Sequence, residues 1–197
     1  MASPPARVVA IVLAGGQARR FGGDKLAARI HGRSVLDRAI GGLPADCLIT
    51  VLGPVRPLGR EVTFRREDPP GGGPAAALIT GLIWALTSDV ETIVTLPGDA
   101  PEAGRAALIL IEQLERQQLE VVVGVDGSGR DQVLQLALRP GAARQLVELA
   151  GADRGHDQSV RRLVTALLPG RVTLPDDLCA DIDTVDQLEH FRNPSRT

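Results

Sequence analysis

The chain has 197 residues, of which 44% are hydrophobic and only 2% aromatic, and its formal net charge is −2 at pH 7. This length favours one domain over residues 1–197 with an aliphatic core. The acidic balance and the shortage of aromatic side chains argue against a nucleic-acid binder, which usually has a basic face or aromatic stacking platforms.

The longest apolar stretch, about residues 75–86, is too short and too broken to span a bilayer. The first residues lack the charged and apolar regions of a signal peptide. We therefore expect a cytoplasmic protein without membrane partners.

The predicted elements alternate along the chain. An uninterrupted apolar run at residues 7–13 is typical of a strand buried on both faces of a parallel sheet. Ser34 is a suitable N-cap for a helix that ends near residue 43. Further strands are predicted at residues 48–52, 62–65, 92–96, 121–125, 132–138 and 171–174, and further helices at 75–86, 101–118, 141–150, 159–168 and 185–192.

Two details of this pattern bear on the architecture. The strands at 121–125 and 132–138 flank a glycine-containing turn, which indicates a hairpin. Thr184 and Gln187 have the spacing of a capping box for the last helix. The alternation as a whole predicts an α/β fold, a three-layer α/β/α sandwich around a mainly parallel, Rossmann-like sheet.

Candidate ligand-binding segments follow two of the predicted strands. Gly15 and Gly16 come directly after the first strand, and Asp99 follows the strand at 92–96. Ligands of parallel α/β sheets bind at the carboxyl ends of the strands. We therefore expect the glycine loop and Asp99 to belong to one site.

The glycine loop ends at Lys25, the single lysine among 22 Lys and Arg residues. Glycines let the backbone approach a ligand, and exposed N–H groups of such a loop attract anionic oxygens. Arg19, Arg20 and Lys25 add positive charge, which favours a triphosphate. The spacing matches neither the ATPase P-loop nor the dinucleotide-binding fingerprint.

The loop resembles the signature loop of nucleotidyltransferases of the molybdenum cofactor guanylyltransferase (MobA-like) family. The residues that carry this resemblance are Leu13, Ala14, Gly15, Gly16, Arg20, Gly22, Asp24 and Lys25. Further along the chain, Asp68 with Gly73 looks like the second nucleotide-contacting segment, and Asp99 looks like the Mg²⁺-binding aspartate. Residues 126–132 resemble the acceptor-side turn, and residues 181–184 the C-terminal segment.

This resemblance implies transfer of GMP from GTP to the phosphate of molybdopterin, with release of pyrophosphate. Lys25, Arg20 and Asp99 are the implied catalytic residues. The implied nucleotide-binding residues are Leu13, Ala14, Gly15, Gly16, Arg20, Lys25, Asp68, Gly73 and Asp99. Mg²⁺ is the expected cofactor, with Asp99 and Asp181 as ligands, since Mg²⁺ usually takes one or two carboxylates besides phosphates and waters.

The acceptor-side candidates are Arg130, Gln132, Arg161, Arg162 and Asp183, and other proteins of molybdenum cofactor synthesis are possible transient partners. Three alternatives stay open: a cytidylyltransferase of the same cofactor, a sugar-phosphate nucleotidyltransferase and a nonenzymatic nucleotide-binding module. Gly15-Gly16 favours the guanylyltransferases, since the cytidylyl-transferring relatives tend to have Ala-Gly there. Asp181 and Asp183 slightly favour the cytidylyltransferases.

Overall fold

The computed structural model describes residues 8–16 and 21–193. Arg19 and Arg20, two of the predicted phosphate-site cations, lie outside these residues. The strands are β1 (Val8–Leu13), β2 (Arg29–Ile30), β3 (Arg33–Ser34), β4 (Leu48–Leu52), β5 (Thr63–Arg65), β6 (Thr92–Pro97), β7 (Val121–Val125), β8 (Asp131–Leu138) and β9 (Gly170–Thr173). The helices are α1 (Val35–Gly41), α2 (Gly73–Ala85), α3 (Ala103–Arg116), α4 (Pro140–Ala150), α5 (Val160–Ala166), α6 (Asp176–Cys179) and α7 (Val185–Arg192).

Seven strands form one sheet in the order β5-β4-β1-β6-β8-β7-β9. The strands β5, β4, β1 and β6 run parallel to their neighbours, and β9 runs parallel to β7. β8 is antiparallel to both β6 and β7. The predicted mainly parallel sheet and the β7–β8 hairpin are thus both confirmed.

Helices cover both faces of the sheet, because β1 is apolar at every position. Val9 and Ile11 pack on one face with α2, α4 and α5, whereas Ala10 and Val12 pack on the other with α1, α3 and α7. The predicted three-layer sandwich is confirmed. None of the described helices is long and apolar enough to cross a membrane.

Short elements are where sequence and structure differ most. The predictions omitted the β2–β3 pair and the four-residue helix α6, because elements of this length contain too few residues to show a periodicity. Both predicted caps are confirmed: the Ser34 side chain accepts from the Asp37 N–H, and Thr184 with Gln187 forms a capping box. The predicted bounds of the longer helices differ from the observed ones by one to two residues at most ends.

Candidate functional site

The carboxyl ends of β4, β1 and β6 are joined by backbone hydrogen bonds just beyond the strands. The Ala14 N–H donates to the Leu52 carbonyl (2.9 Å), and the Gly98 N–H donates to the Leu13 carbonyl (2.8 Å). Gly53 lies so close to this junction that a Cβ there would be 2.5 Å from the Ala14 carbonyl oxygen. The glycine loop therefore starts from a fixed point in the middle of the sheet.

A cleft of two adjoining cavities opens at this edge. The larger cavity, of about 680 Å³, is lined by the loop after β4, the loop before α2 and the first turns of α2, with Gly53, Arg66, Glu67, Gly73 and Ala77 among its residues. The smaller cavity, of about 330 Å³, contains Gly23, Asp24, Lys25 and Arg56. Both are also lined by Leu13, Gly15, Gly16 and Asp99. A cleft of this size accommodates a ligand as large as a nucleotide.

The glycine loop forms the floor that the two cavities share. Gly16 has a φ of +106°, a conformation that side chains rarely adopt, so the turn requires glycine there. Leu13 and Gly15 line both cavities, whereas Ala14 is buried and contributes its backbone hydrogen bond to Leu52. Of the predicted nucleotide-binding loop residues that the structure describes, all but Ala14 thus line one cleft.

Lys25 forms two ion pairs in this cleft. Its Nζ donates to Asp99 Oδ2 (2.6 Å) and to Asp183 Oδ1 (2.8 Å), and only 16% of its side chain is exposed. Burial lowers the pKa of Lys25, but the hydrogen bonds to Asp183 and Asp99 outweigh it, so that its pKa lies above the ordinary value. The lysine is therefore fully charged at neutral pH, between two carboxylates from distant parts of the chain.

Asp99 and the C-terminal segment are held together by their backbones. The Ile182 N–H donates to the Asp99 carbonyl (3.0 Å), which places Asp181 and Asp183 on either side of this bond. The Gln187 side chain of the capping box accepts from the Asp183 N–H (2.7 Å). Partial burial, followed by the negative charges of Asp183 and Asp99, raises the pKa of Asp181.

The carboxylates suit a hard divalent cation bound together with phosphates. Within residues 8–16 and 21–193, no group of three or more His, Cys, Asp or Glu side chains forms a metal cage by itself. Mg²⁺ does not need such a cage, because one or two carboxylates, phosphate oxygens and waters complete its coordination. When ionised, Asp99, Asp181 and Asp183 carry more negative charge than the single positive charge of Lys25 balances. The roles of Asp99 and Asp181 as Mg²⁺ ligands therefore stay a prediction, which the chemistry of these carboxylates supports.

Arg56, in the loop after β4, is a site residue that the sequence predictions missed. Its Nε donates to Asp24 Oδ2 (2.9 Å) and its Nη2 to Asp24 Oδ1 (3.1 Å), a fork that holds the carboxylate with two parallel bonds. The hydrogen bond from Arg56 lowers the pKa of Asp24. The rule that parallel strands present their ligands at their carboxyl ends could have drawn attention to this loop.

The loop between β5 and α2 presents Glu67 to the cleft. Glu67 lines the larger cavity, and its Oε1 accepts from the Gly71 N–H (3.2 Å). The side chain of Asp68, the carboxylate that the sequence singled out, forms an ion pair with Arg154 instead. Asp68 is absent from the described lining of the cleft, so its contact with nucleotide stays a prediction.

A third cavity, of about 390 Å³, lies at the β7–β8 turn. It is lined by Asp126, Ser128, Arg130, Gln132, Asp176, Cys179, Ala180 and Asp181. We call this cavity the hairpin cavity, and we call Lys25, Asp99 and Asp183 the Lys25 cluster. The two adjoin at Asp181, whose carboxyl is influenced by the charges of Asp99 and Lys25. Burial, then the charges of Asp126, Asp176 and Asp177, raises the pKa of the Cys179 thiol to about 11. The thiol is therefore protonated at neutral pH and is a poor nucleophile.

The predicted acceptor-side residues are not all in the same place. Arg130 and Gln132 line the hairpin cavity. Arg161 donates to the Asp131 carbonyl (3.1 Å), and Arg162 is exposed on α5; neither lines one of the three cavities just described. Asp183 accepts from Lys25 and so belongs to the Lys25 cluster.

Known sequences are similar to most of this chain. The sequence-family model of the MobA-like NTP transferase domain matches residues 10–170. A molybdenum cofactor guanylyltransferase of Acidiphilium cryptum is 37% identical over 105 residues, 49% of this chain and 52% of that protein. One from Rhodopseudomonas palustris is 34% identical over 66% of this chain and 65% of that protein, and one from Rhodobacter capsulatus is 28% identical over 89% and 87%. The chain thus spans about half to two thirds of the length of the first two relatives.

Solved structures share the fold at low sequence identity. Molybdopterin-guanine dinucleotide biosynthesis protein A from Archaeoglobus fulgidus superposes with a TM-score of 0.66 at 17% identity, over 94% of this chain and 97% of that one. CMP:2-keto-3-deoxy-manno-octonic acid synthetase complexed with CTP superposes with a TM-score of 0.68 at 14% identity, over 95% and 97%. The chain thus shares the fold of these two proteins. Since the family model covers most of the sequence, including the glycine loop and Asp99, the chain belongs to the MobA-like NTP transferase family.

Proposed function

We propose that the protein transfers GMP from GTP to the phosphate of molybdopterin and releases pyrophosphate. The observation that carries this proposal is the continuous cleft, in which a glycine loop and Asp99 join a large, mostly apolar cavity to a small one containing Lys25 and Arg56. A nucleoside triphosphate has the same two parts, a base with its sugar and a run of charged phosphates. The names of the relatives support the choice of guanine and of the pterin acceptor.

Glu67 is suited to recognise a guanine in the larger cavity. Guanine offers N–H donors at N1 and at its 2-amino group, and a carboxylate accepts from both. Glu67 lines the cavity and is oriented by the Gly71 N–H. Cytosine has a smaller ring and a different donor pattern, so the same carboxylate would select against CTP.

The reaction requires charge neutralisation and alignment rather than a strong base. The acceptor phosphate is already ionised at neutral pH, so its oxygen attacks the α-phosphorus of GTP in line as the bond to pyrophosphate breaks. Lys25 supplies a fixed positive charge, held in place by Asp99 and Asp183. Asp99 and Asp181 would hold Mg²⁺, which adds positive charge against the phosphate oxygens when it is bound.

The hairpin cavity is suited to the acceptor. It adjoins the Lys25 cluster at Asp181, and Arg130 and Gln132 line it. Gln132 is fixed by its bond to Asp126 Oδ2 (2.7 Å), which leaves Arg130 as the cation for an anionic group of the pterin.

Nucleotide selectivity tests this proposal first. We expect GTP with Mg²⁺ to raise the melting temperature by about 5–10 °C at a hundredfold excess over Kd, since such saturation is worth about 2.7 kcal/mol. CTP, ATP and UTP at the same concentration should give less than half of this shift. Greater stabilisation by CTP would replace the proposal with the cytidylyltransferase.

Pyrophosphate release then separates an enzyme from a nucleotide-binding module. We expect release from GTP only when the molybdopterin acceptor is added, and none when a sugar 1-phosphate replaces it. A protein that binds GTP without releasing pyrophosphate with either acceptor would be a binding module. Release with the sugar phosphate alone would identify a sugar-phosphate nucleotidyltransferase.

A further inference from the structure

We propose that Arg56 binds the β- and γ-phosphates of the nucleotide and the leaving pyrophosphate, with Asp24 positioning its guanidinium group. This inference rests on the proposed function and adds a phosphate-binding residue to it. Lys25 and Arg56 are the two cationic side chains that line the smaller cavity in the described part of the chain.

The hydrogen bonds of Arg56 leave it capacity for an anion. Its Nε and Nη2 donate to Asp24, and its Nη1 donates to the Pro54 carbonyl (3.1 Å). A guanidinium group has five N–H donors. Among the described residues, two of them, one on each terminal nitrogen, have no protein acceptor. Phosphate oxygens match such paired donors in both geometry and charge.

Asp24 fixes the position of Arg56 relative to Lys25. Asp24 precedes Lys25 in the chain, and its Oδ1 also accepts from the Leu26 N–H (3.2 Å). Only 16% of the Arg56 side chain is exposed. The guanidinium group is therefore held beside the glycine loop in one orientation, which lowers the entropy lost when a phosphate binds.

The charges in the cleft also indicate that a triphosphate needs a cation besides Lys25, and Arg56 supplies it. The single positive charge of Lys25 is already shared between Asp99 and Asp183. A triphosphate brings several further negative charges into a cavity that contains Asp24 and Asp99. Nε and Nη2 of Arg56 donate to Asp24, and the remaining N–H groups of the two terminal nitrogens are left for the phosphates. The same side chain therefore connects the loop after β4 to the glycine loop and attracts the ligand.

Pyrophosphate binding tests the role of Arg56 without involving the base. We expect Arg56→Ala to weaken pyrophosphate binding, measured by titration calorimetry, by about 10–100-fold, since a charge-assisted hydrogen bond is worth about that much. The affinity for GMP should change less than twofold. Arg56→Lys, which keeps the charge but loses the fork, should recover part of the pyrophosphate affinity.

Arg144→Ala is the matched control, because Arg144 is exposed on α4 and lines none of the three cavities, so pyrophosphate binding should stay within twofold of wild type. Unchanged pyrophosphate affinity in Arg56→Ala would overturn the inference. Equal losses of affinity for GMP and for pyrophosphate in both Arg56→Ala and Arg56→Lys would also overturn it, because they would show that Arg56 only supports the loop. If wild type prefers CTP but Arg56→Ala still loses pyrophosphate, the proposed base selectivity fails and the role of Arg56 stands. If wild type binds neither pyrophosphate nor a nucleoside triphosphate, both proposals fail.

Discussion

The cleft and the hairpin cavity lie at the same edge of the sheet but are built in different ways. In the cleft, Lys25 pairs with carboxylates 74 and 158 residues away in sequence. In the hairpin cavity, Asp126 accepts bonds from Ser128, Arg130 and Gln132, which are two to six residues away. The ion pairs of Lys25 thus depend on the whole fold. The bonds to Asp126 come from its own turn, and Asp176 and Arg171 connect that turn to a later segment.

The sheet explains this contrast. Parallel strands are joined by long crossovers, so the loops at their carboxyl ends come from distant segments. The β7–β8 pair is antiparallel, and its turn is closed locally, with the Gly129 N–H donating to the Asp126 carbonyl (2.9 Å). Substitutions in the cleft should therefore have larger and longer-range effects than those at the turn.

The largest expected effect is the loss of transfer in Lys25→Ala and in Asp99→Ala. Each substitution removes a charged group to which the proposed function gives a role at the phosphates, and such losses commonly cost about 10²–10³ in rate. Lys25→Arg should also be less active than wild type, because a planar guanidinium group cannot take the place of the ammonium between Asp99 and Asp183. The measurement is steady-state pyrophosphate release, with melting temperatures to verify folding.

Arg130→Ala is the comparison from the hairpin cavity. It should raise KM for the acceptor about tenfold, the equivalent of one charge-assisted hydrogen bond, and leave GTP affinity unchanged. Rates within a factor of three of wild type for Lys25→Ala or Asp99→Ala would contradict the roles given to them. A large loss of GTP affinity in Arg130→Ala would contradict the separation of the two cavities.

A smaller effect, on the free energy of unfolding, is expected when a methyl group is added at a buried glycine in each of the two regions. In Gly53→Ala the new Cβ would meet the Ala14 backbone at 2.5 Å, which cannot move without disturbing β1. In Gly124→Ala it would meet the terminal Leu174 Cδ1, also at 2.5 Å, but that side chain can rotate. We expect Gly53→Ala to lose about 1–3 kcal/mol, several degrees in melting temperature, and Gly124→Ala to lose less.

Gly23→Ala is the control for this pair, since a Cβ there would meet open space. It should melt within about 1 °C of wild type, as surface substitutions usually change stability by no more than about 0.5 kcal/mol. If Gly124→Ala were as destabilised as Gly53→Ala, the hairpin region would be as rigid as the cleft.

The smallest expected effect is a pH dependence of the melting temperature that arises from Asp126 in the hairpin turn. Hydrogen bonds from the Ser128 hydroxyl and the Arg130 N–H lower the pKa of Asp126 below 3.8. Because the native carboxyl binds its proton less tightly than the unfolded one, its stabilisation is present above pH 3.8 and is lost as the pH falls through the native pKa. Asp126→Asn keeps the acceptor oxygen but does not titrate. The melting-temperature advantage of wild type over Asp126→Asn should therefore be constant between about pH 5 and 7 and should shrink below pH 3.8. An advantage that grows on acidification would contradict the assigned hydrogen bonds.

Much of the site could be predicted because its residues follow strands. The apolar run of β1 and the glycines after it indicated a phosphate-binding loop, and Asp99 followed β6 in the same way. The Asp126 turn could be recognised because its bonds are local. Arg56 was missed because the loop after β4 carries no motif, and its partner Asp24 is 32 residues away.

The choice between neighbouring carboxylates shows the limit of sequence reasoning. Glu67 and Asp68 are adjacent and chemically alike, yet Glu67 lines the cleft and Asp68 pairs with Arg154, 86 residues later. The direction in which each side chain points depends on the path of the loop before α2, which no periodicity describes.

The sequence by itself determined the α/β order of elements, the glycine loop and the acidic strand ends, because each depends on hydrophobic periodicity or on the special backbone of glycine. Only the tertiary structure decided which charges meet: Lys25 with Asp99 and Asp183, and Arg56 with Asp24. Ion pairing depends on distances of a few ångströms between segments that the chain alone does not bring together. The parallel crossovers of the sheet bring them together at one edge, and the cleft forms there.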